Sequence, residues 1–213
     1  MLKVYAFSTS NSLKVPIALE ELGLEYELAS INIGTGEQNT PEYLAINPNG
    51  KVPVLVDSDG PDGKPFTLSE SGAILMYLAE KTGKLMPKNG EGRWRTVEQL
   101  FFQGSGVGPA FGQMRFFKIV ASEKMPVAIE RFETEARRTL SVLDDVLAKN
   151  TFVAGEEFTI ADIAHFGVQW RRSFSGIEYD EHNENVKRWY EMIAARPAVQ
   201  RAIEKVTALT PKK

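Results

Sequence analysis

The sequence predicts two domains, a mixed α/β domain followed by an all-α domain. Residues 1–87 change between strand and helix periodicity, whereas the residues after about 93 read almost continuously as amphipathic helix. The stretch between them, Lys84 to Gly92, carries one proline and two glycines. We therefore expect domains over residues 1–84 and 93–213, joined by a linker over residues 85–92.

The first domain is predicted to have the element order β-α-β-α-β-β-α. A strand over Lys3–Phe7, a helix over Leu13–Leu22 that ends at Gly23, and a strand over Tyr26–Ile33 have the spacing of a parallel βαβ unit. The other predicted elements are a helical turn over Pro41–Ala45, a hairpin of Val52–Val56 with Phe66–Leu68, and a helix over Glu70–Thr82 followed by Gly83. A compact mixed sheet covered by helices is the thioredoxin-like arrangement, which specifies a fold and not a function.

The second domain is predicted to be all-α. Its helices are expected over Arg93–Phe102 with a continuation to Phe117, then over Val127–Lys149, Ile160–Phe174 and Asn185–Ala195, with a last one from Ala198. The segment Thr159–Asp162 resembles a capping box with Asp in place of Glu, and we interpret it as structural.

The residue composition excludes several kinds of catalytic and metal-binding site. The 213 residues include no cysteine, which excludes disulfides, a cysteine nucleophile and thiolate metal sites, so that any sulfur chemistry must come with a ligand. His165 and His182 are the only imidazoles, so a Ser-His-Asp hydrolase or a multi-histidine metal centre is not expected. We expect no metal.

Charge and hydropathy indicate the cellular setting. The net charge is −3 and no basic run resembles a nucleic-acid footprint. The N-terminus reads as a strand and not as a secretory signal, and the longest uncharged run, Gln99 to Met114, is too short and too rich in glycine to span a bilayer. We therefore expect a soluble cytoplasmic protein without nucleic-acid or membrane partners.

The turn between the first strand and the first helix, Ser8 to Ser12, is rich in hydroxyl and amide side chains. Beside the positive end of a helix dipole, such donors can stabilise an anion, for example a thiolate. The simpler interpretation is that Asn11 or Ser12 only caps the helix. The residues alone leave both interpretations open.

The Val52–Pro53 bond stands where a strand begins. In thioredoxin-like folds a proline at this place is commonly cis, and the backbone N–H and C=O before it face outward, where a peptide ligand can pair with them as if it were another strand. An ordinary trans proline that opens a strand is the alternative.

The segment Leu68–Ile74 opens the third helix. Free backbone amides at Ser71 and Gly72, with the Ser71 hydroxyl, would bind a carboxylate, and Glu70 could pair with an ammonium group. Together they would recognise an amino-acid head group. The alternative is again a capped helix start.

These segments occur in an order that resembles the glutathione S-transferase family over essentially the whole chain: Lys51–Val54 with its proline, the Glu70–Ser71 pair, the linker and the Thr159–Asp162 cap. Two further segments, Phe7–Lys14 and Pro126–Phe132, resemble the nu class, whose members act as glutathione-dependent disulfide reductases. The fold expected from this resemblance is a thioredoxin-like domain followed by a helical bundle that lines the electrophile site and the dimer interface.

The resemblance also implies roles for matching residues. Thr9 and Asn11 would face the glutathione sulfur as the catalytic residues. Glu70 and Ser71 would hold the γ-glutamyl end. The other implied binding residues are Val52, before Pro53, for the cysteinyl backbone, Gln38 and Lys51 for the glycyl end, and Arg131 near bound glutathione, where a second molecule would fit. An arginine such as Arg131 on a charged helix face is as readily explained as a solvated side chain.

The implied function is a glutathione-dependent disulfide-bond reductase with transferase activity, in which glutathione is a substrate and a small electrophile or disulfide is the other. An ordinary transferase for hydrophobic electrophiles is the nearest alternative, and a non-catalytic binding module is another, because the fold also serves as a binding platform. The resemblance further implies a homodimer, with the glycine-rich segment Gln103–Gln113 suited to close approach between chains.

Overall fold

The computed structural model describes residues 1–210, which form two compact units. The first unit consists of Met1–Lys84 together with the described residues from Arg196 onward, and the second of Leu85–Ala195. The predicted thioredoxin-like topology with a helical second part is confirmed.

A four-stranded mixed sheet forms the centre of the first unit, in the order β2-β1-β3-β4. Strands β1 and β2 are parallel, as the βαβ spacing predicts, and β3 and β4 are antiparallel, as the predicted hairpin requires. Strand β3 also pairs antiparallel with β1. The strands are β1 (Leu2–Ala6), β2 (Tyr26–Ser30), β3 (Val54–Asp57) and β4 (Phe66–Ser69).

The helices follow the predicted order, with ends that differ by a few residues. They are α1 (Ser10–Leu22), α2 (Pro41–Ile46), α3 (Ser71–Thr82), α4 (Gly90–Phe102), α5 (Gly108–Arg115), α6 (Pro126–Leu147), α7 (Ile160–Gln169), α8 (Glu184–Ala194) and α9 (Pro197–Thr207). Helices α1 and α3 end at Gly23 and Gly83, whose positive φ values of 67° and 68° favour glycine.

The last helix, α9, belongs to the first unit, whereas the sequence places it in the helical domain over residues 93–213. It packs on α1 and buries Val199, Ala202 and Val206. The Arg196 guanidinium donates two hydrogen bonds to the Glu21 carboxylate, at 2.6 and 2.8 Å. Periodicity shows that such a segment is amphipathic but not which surface it covers. The predicted linker over residues 85–92 likewise overlaps α4, which begins at Gly90.

Helices α4 and α5 are joined by a π-helical turn over Gln103–Val107, and a second such turn follows α5 at Phe116–Val120. The predicted continuation of helix through the glycine-rich segment is therefore confirmed. Glycine is favoured at position 108, because a Cβ atom there would lie 3.0 Å from the Gln103 carbonyl oxygen and 2.9 Å from Nε2 of the same residue. Gly106 similarly packs on the Phe102 ring, so part of this segment's glycine content serves the chain's own packing.

The N-terminus of α7 is held by the predicted capping box. The Asp162 carboxylate accepts from the backbone N–H of Thr159 at 2.8 Å and of Val153 at 2.9 Å, and from the indole N–H of Trp189 at 2.9 Å. Burial raises the pKa of Asp162 to about 6. These contacts confirm a structural role for this segment.

His165 is also internal: it is fully buried, with Nε2 3.1 Å from the Gln99 carbonyl oxygen. Among residues 1–210, no group of three or more His, Asp or Glu side chains is arranged to hold a metal ion. In the same range no helix is long and apolar enough to cross a bilayer.

Candidate functional site

The strand register brings three segments singled out in the sequence to one end of the sheet: the turn before α1, the Val52–Pro53 bond and the start of α3. Val54 pairs with Tyr5 on one side and with Ser69 on the other. Because β3 is antiparallel to both neighbours, the two residues before Val54 lie beside the end of β1 and the start of α3. The Val52–Pro53 bond therefore stands between the turn that enters α1 and the Glu70–Ser71 pair.

Thr9 is the N-cap of α1. Its Oγ1 accepts from the backbone N–H of Ser12 at 3.2 Å and donates to Ser12 Oγ at 3.0 Å, and Ser12 Oγ in turn accepts from the Phe7 N–H at 3.3 Å. The expected alternative of a capping role is thus realised, but by Thr9 and not by Asn11 or Ser12.

Asn11 is exposed in the first turn of α1, and its side chain makes no hydrogen bond to another residue of the described chain. Its amide therefore keeps its donors for a ligand, beside the positive end of the helix dipole. Of the two predicted catalytic residues, Asn11 has the uncommitted donor and Thr9 the structural one.

The Val52–Pro53 peptide bond is cis, as the thioredoxin-like interpretation predicts. Within residues 1–210 the backbone N–H and C=O of Val52 have no hydrogen-bond partner. The preceding carbonyl, that of Lys51, accepts from the hydroxyl of buried Tyr43 at 2.7 Å and from the Asn47 amide at 2.8 Å. This segment is held firmly while the Val52 backbone stays available.

Gln38 and Lys51 come together through Gly50, which has a φ of 62°. A Cβ atom at Gly50 would lie 3.2 Å from the Gln38 carbonyl oxygen, so the turn that carries Gln38 packs directly against the residue before Lys51. The Gln38 Oε1 atom is buried and has no hydrogen-bond partner in the described chain. The Lys51 side chain, next to Val52 in the chain, is exposed.

The N-terminus of α3 has no side-chain cap, in contrast to α1 and α2, which are capped by Thr9 and Thr40. Glu70, exposed at the cap position, has a φ of 69°. Positive φ at a residue other than glycine is uncommon and is concentrated at functional sites. The first-turn amides and the Ser71 hydroxyl are thus placed to receive an anion, as the sequence predicts.

Lys14 is a residue of this region that we did not predict from the sequence. It is 1% exposed, and its ammonium group donates to Ser71 Oγ at 3.4 Å. Burial lowers its pKa to about 7, against a smaller opposing effect of the Glu70 charge. A lysine inside the apolar run of α1 is the signal that could have revealed it.

Arg131 lies in the second unit, on the exposed surface of α6. Its charge lowers the pKa of Glu135, one turn further along that helix, although the ion pair with Arg138 is the main cause. Tyr5 is in the middle of β1, with its ring edge-on to Tyr43 at a centroid distance of 6.1 Å, which fits a packing role.

A thioredoxin-like unit followed by a helical unit defines the fold class of this protein, and the open backbone groups beside the cis proline can pair with an extended peptide. Comparison with known families identifies the family to which the chain belongs. The model of the glutathione S-transferase N-terminal domain matches residues 1–80, and that of the C-terminal domain matches residues 111–197. The chain belongs to the glutathione S-transferase family.

Comparisons with individual proteins support the same family. Disulfide-bond oxidoreductase YfcG of Escherichia coli is 40% identical over 96% of this chain and 95% of its own. A glutathione transferase family member from Pseudomonas fluorescens, solved with two glutathione bound, has a TM-score of 0.90 at 40% identity, covering 95% of this chain and 92% of that one. A glutathione transferase from Pseudomonas putida, solved with one glutathione disulfide per subunit, has a TM-score of 0.88 at 37% identity, covering 95% and 90%.

Proposed function

We propose that the protein is a glutathione-dependent disulfide-bond reductase that also transfers glutathione to electrophiles. The observation that carries the proposal is the convergence, at one end of the sheet, of an unpaired Val52 backbone, an uncapped α3 and the free Asn11 amide. The disulfide-bond oxidoreductase from E. coli and the transferases with bound glutathione or glutathione disulfide support it.

In this proposal the tripeptide spans the three groups. The γ-glutamyl ammonium pairs with Glu70 and its carboxylate binds Ser71 and the amides of the first turn of α3. The cysteinyl backbone pairs with Val52 beside Pro53, as an added strand would. Gln38 and Lys51 meet the glycyl carboxylate, and Arg131 serves a second glutathione.

The reaction uses the sulfur of glutathione. A free thiol has a pKa of about 8.5 and is mostly protonated at pH 7. The Asn11 amide and the N-terminus of α1 lower that pKa by favouring the thiolate, while Thr9, whose hydroxyl donates to Ser12 Oγ, holds the turn beside the sulfur. No general base is needed, because the thiolate forms in equilibrium with solvent.

The thiolate attacks one sulfur of a substrate disulfide, forming a mixed disulfide and expelling the other sulfur as a thiolate that takes up a proton. Because this chain has no cysteine, a second glutathione thiolate attacks the mixed disulfide. The products are two substrate thiols and glutathione disulfide. Attack on an electrophilic carbon gives conjugation by the same thiolate.

We further propose that the protein is a cytoplasmic homodimer. Trp94 and Phe101, two turns apart on α4, are 69% and 70% exposed and supply an apolar surface for a second copy. The cytoplasm is the compartment whose glutathione pool matches the proposed substrate.

Calorimetry with Glu70→Ala tests the binding site. Loss of a charged hydrogen bond costs about 1.5–3 kcal/mol, which predicts a ten- to hundredfold weaker affinity for glutathione. The matched control is Glu25→Ala, an exposed glutamate in the turn between α1 and β2, which should bind as the wild type does. Equal affinity of both variants and the wild type would remove this assignment.

A further inference from the structure

We propose that Lys14 is a positioning residue for glutathione, whose ammonium group stands behind Ser71 and supplies the positive charge that selects a ligand with an α-carboxylate at the start of α3. This inference rests on the proposed glutathione site. It adds a residue that touches the ligand through Ser71, and it explains why a charged side chain is enclosed at this position.

The Lys14 side chain brings its charge to the start of α3. The residues of α1 from Ser12 to Leu19 are all buried, and Lys14 is the charged one among them. Its side chain runs from α1 to α3, where Nζ meets Ser71 Oγ at 3.4 Å. A carboxylate that accepts from the Ser71 hydroxyl would therefore be separated from the ammonium group by a single oxygen atom.

Electrostatics favours an anionic ligand here. An ammonium group removed from water needs compensating charge, and the acidic side chain that acts on Lys14 is Glu70, which is itself exposed. A ligand ammonium paired with Glu70 would weaken that compensation, whereas a ligand carboxylate at Ser71 restores it. Glu70 and Lys14 thus form a pair of opposite charges that matches an amino-acid zwitterion.

Three cations on helices that pack against α1 form ion pairs away from Ser71. On α9, Arg201 and Lys205 both bind Glu20, at 2.7 and 2.6 Å, near the C-terminal end of α1. On α3, Lys81 binds Asp57 at 2.7 Å, at the far end of that helix from Ser71. Lys14, in contact with Ser71, and Glu70, at the cap position, in turn place opposite charges at the start of α3.

Two ligands separate this role from simple packing. S-methylglutathione carries the α-carboxylate and no titrating thiol, and its 4-aminobutyryl analogue lacks only that carboxylate. For Lys14→Met, which keeps the length of the side chain without its charge, calorimetry should show roughly ten- to hundredfold weaker binding of S-methylglutathione. Binding of the analogue should stay within about twofold of the wild type, and Lys14→Arg should restore most of the affinity for S-methylglutathione.

An equal loss for both ligands, or failure of Lys14→Arg to restore binding, would overturn the proposal in favour of a packing role. Should Lys14→Met not fold, the ¹³Cε resonance of Lys14 in the wild type, assigned by comparison with Lys14→Arg, decides instead. S-methylglutathione should raise the Lys14 pKa and the analogue should not; the same pKa with both ligands would overturn the proposal. A wild type that binds neither ligand refutes the glutathione site itself, and the inference with it.

Discussion

At the scale of single residues, the turn before α1 divides its work between two side chains. Thr9 closes the helix through Ser12, whereas Asn11 is exposed and keeps its amide for a ligand. Residue identity alone does not reveal this division, because Thr and Asn serve equally well as caps and as donors. The hydrogen bonds show that Thr9 is the cap, so substitutions of Thr9 and of Asn11 should have different effects.

Asn11→Ala should raise the thiol pKa of bound glutathione by one to two units, since a charge-assisted hydrogen bond contributes about 1.5–3 kcal/mol. It should leave the melting temperature unchanged. Titration of the thiolate absorbance, together with thermal melts, measures both effects. An unchanged thiol pKa would show that Asn11 plays no part in activating the sulfur.

Thr9→Ala should lower the free energy of unfolding by about 1 kcal/mol, the usual cost of a lost N-cap. Thr9→Ser is the matched control, because it keeps the capping hydroxyl and should recover that stability. Urea unfolding of both variants makes the comparison. Equal stability of Thr9→Ala and the wild type would contradict the capping role.

Lys14 gives the stability of the protein a pH dependence of defined sign. Burial lowers its pKa in the folded state to about 7, below the ordinary value of 10.5, so the unfolded state binds more protons between these two values. The free energy of unfolding should therefore rise with pH across this window, by at most about 1.4 kcal/mol per pH unit, relative to Lys14→Met. Parallel curves for the two proteins from pH 7 to 10 would exclude a buried, titrating lysine.

At the scale of elements, the N-termini of α7 and α3 have different roles: the first is structural and the second is proposed to bind a ligand. The capping box of α7 satisfies its own backbone and fixes Trp189 through the same carboxylate, whereas α3 begins without a side-chain cap. Both starts could be located from the sequence, and the structural role of Thr159–Asp162 was predictable because local capping explains its residues. For α3 the sequence left an open and a capped start as alternatives, and the hydrogen bonds show that it has no side-chain cap.

Asp162→Ala leaves the N–H groups of Val153, Thr159 and Trp189 buried without their acceptor. Each such group costs about 1–3 kcal/mol, so the free energy of unfolding should fall by at least ~3 kcal/mol. Asp145→Ala, on the exposed face of α6, is the control and should change it little. Chemical denaturation that finds both variants alike would contradict this account of the α7 start.

At the scale of the whole molecule, the sequence predicts most elements and their order, because hydrophobic periodicity and turn residues are local signals. It does not predict that α9 packs on α1, since that packing involves an ion pair between Arg196 and Glu21, which are 175 residues apart in the chain. It also misses Lys14, whose importance lies in its burial and its contact with Ser71. Local sequence patterns do not predict contacts between residues that are far apart in the chain.

The proposed homodimer is an expectation at this scale. Light scattering at micromolar concentration should give twice the chain mass of 23.7 kDa. Phe101→Glu should favour the monomer, because it places a charge in the proposed apolar contact on α4, whereas Lys149→Glu, an exposed residue beyond the end of α6, should not. A monomer mass for the wild type would contradict the dimer.

The central claim is that bound glutathione reduces disulfides, and turnover of bis(2-hydroxyethyl) disulfide tests it most directly. Formation of glutathione disulfide should exceed the uncatalysed rate, saturate with glutathione, and decrease about ten- to hundredfold in Asn11→Ala at a pH below the thiol pKa. A rate for the wild type equal to that of glutathione alone, at glutathione concentrations that calorimetry shows to saturate the site, would contradict the account.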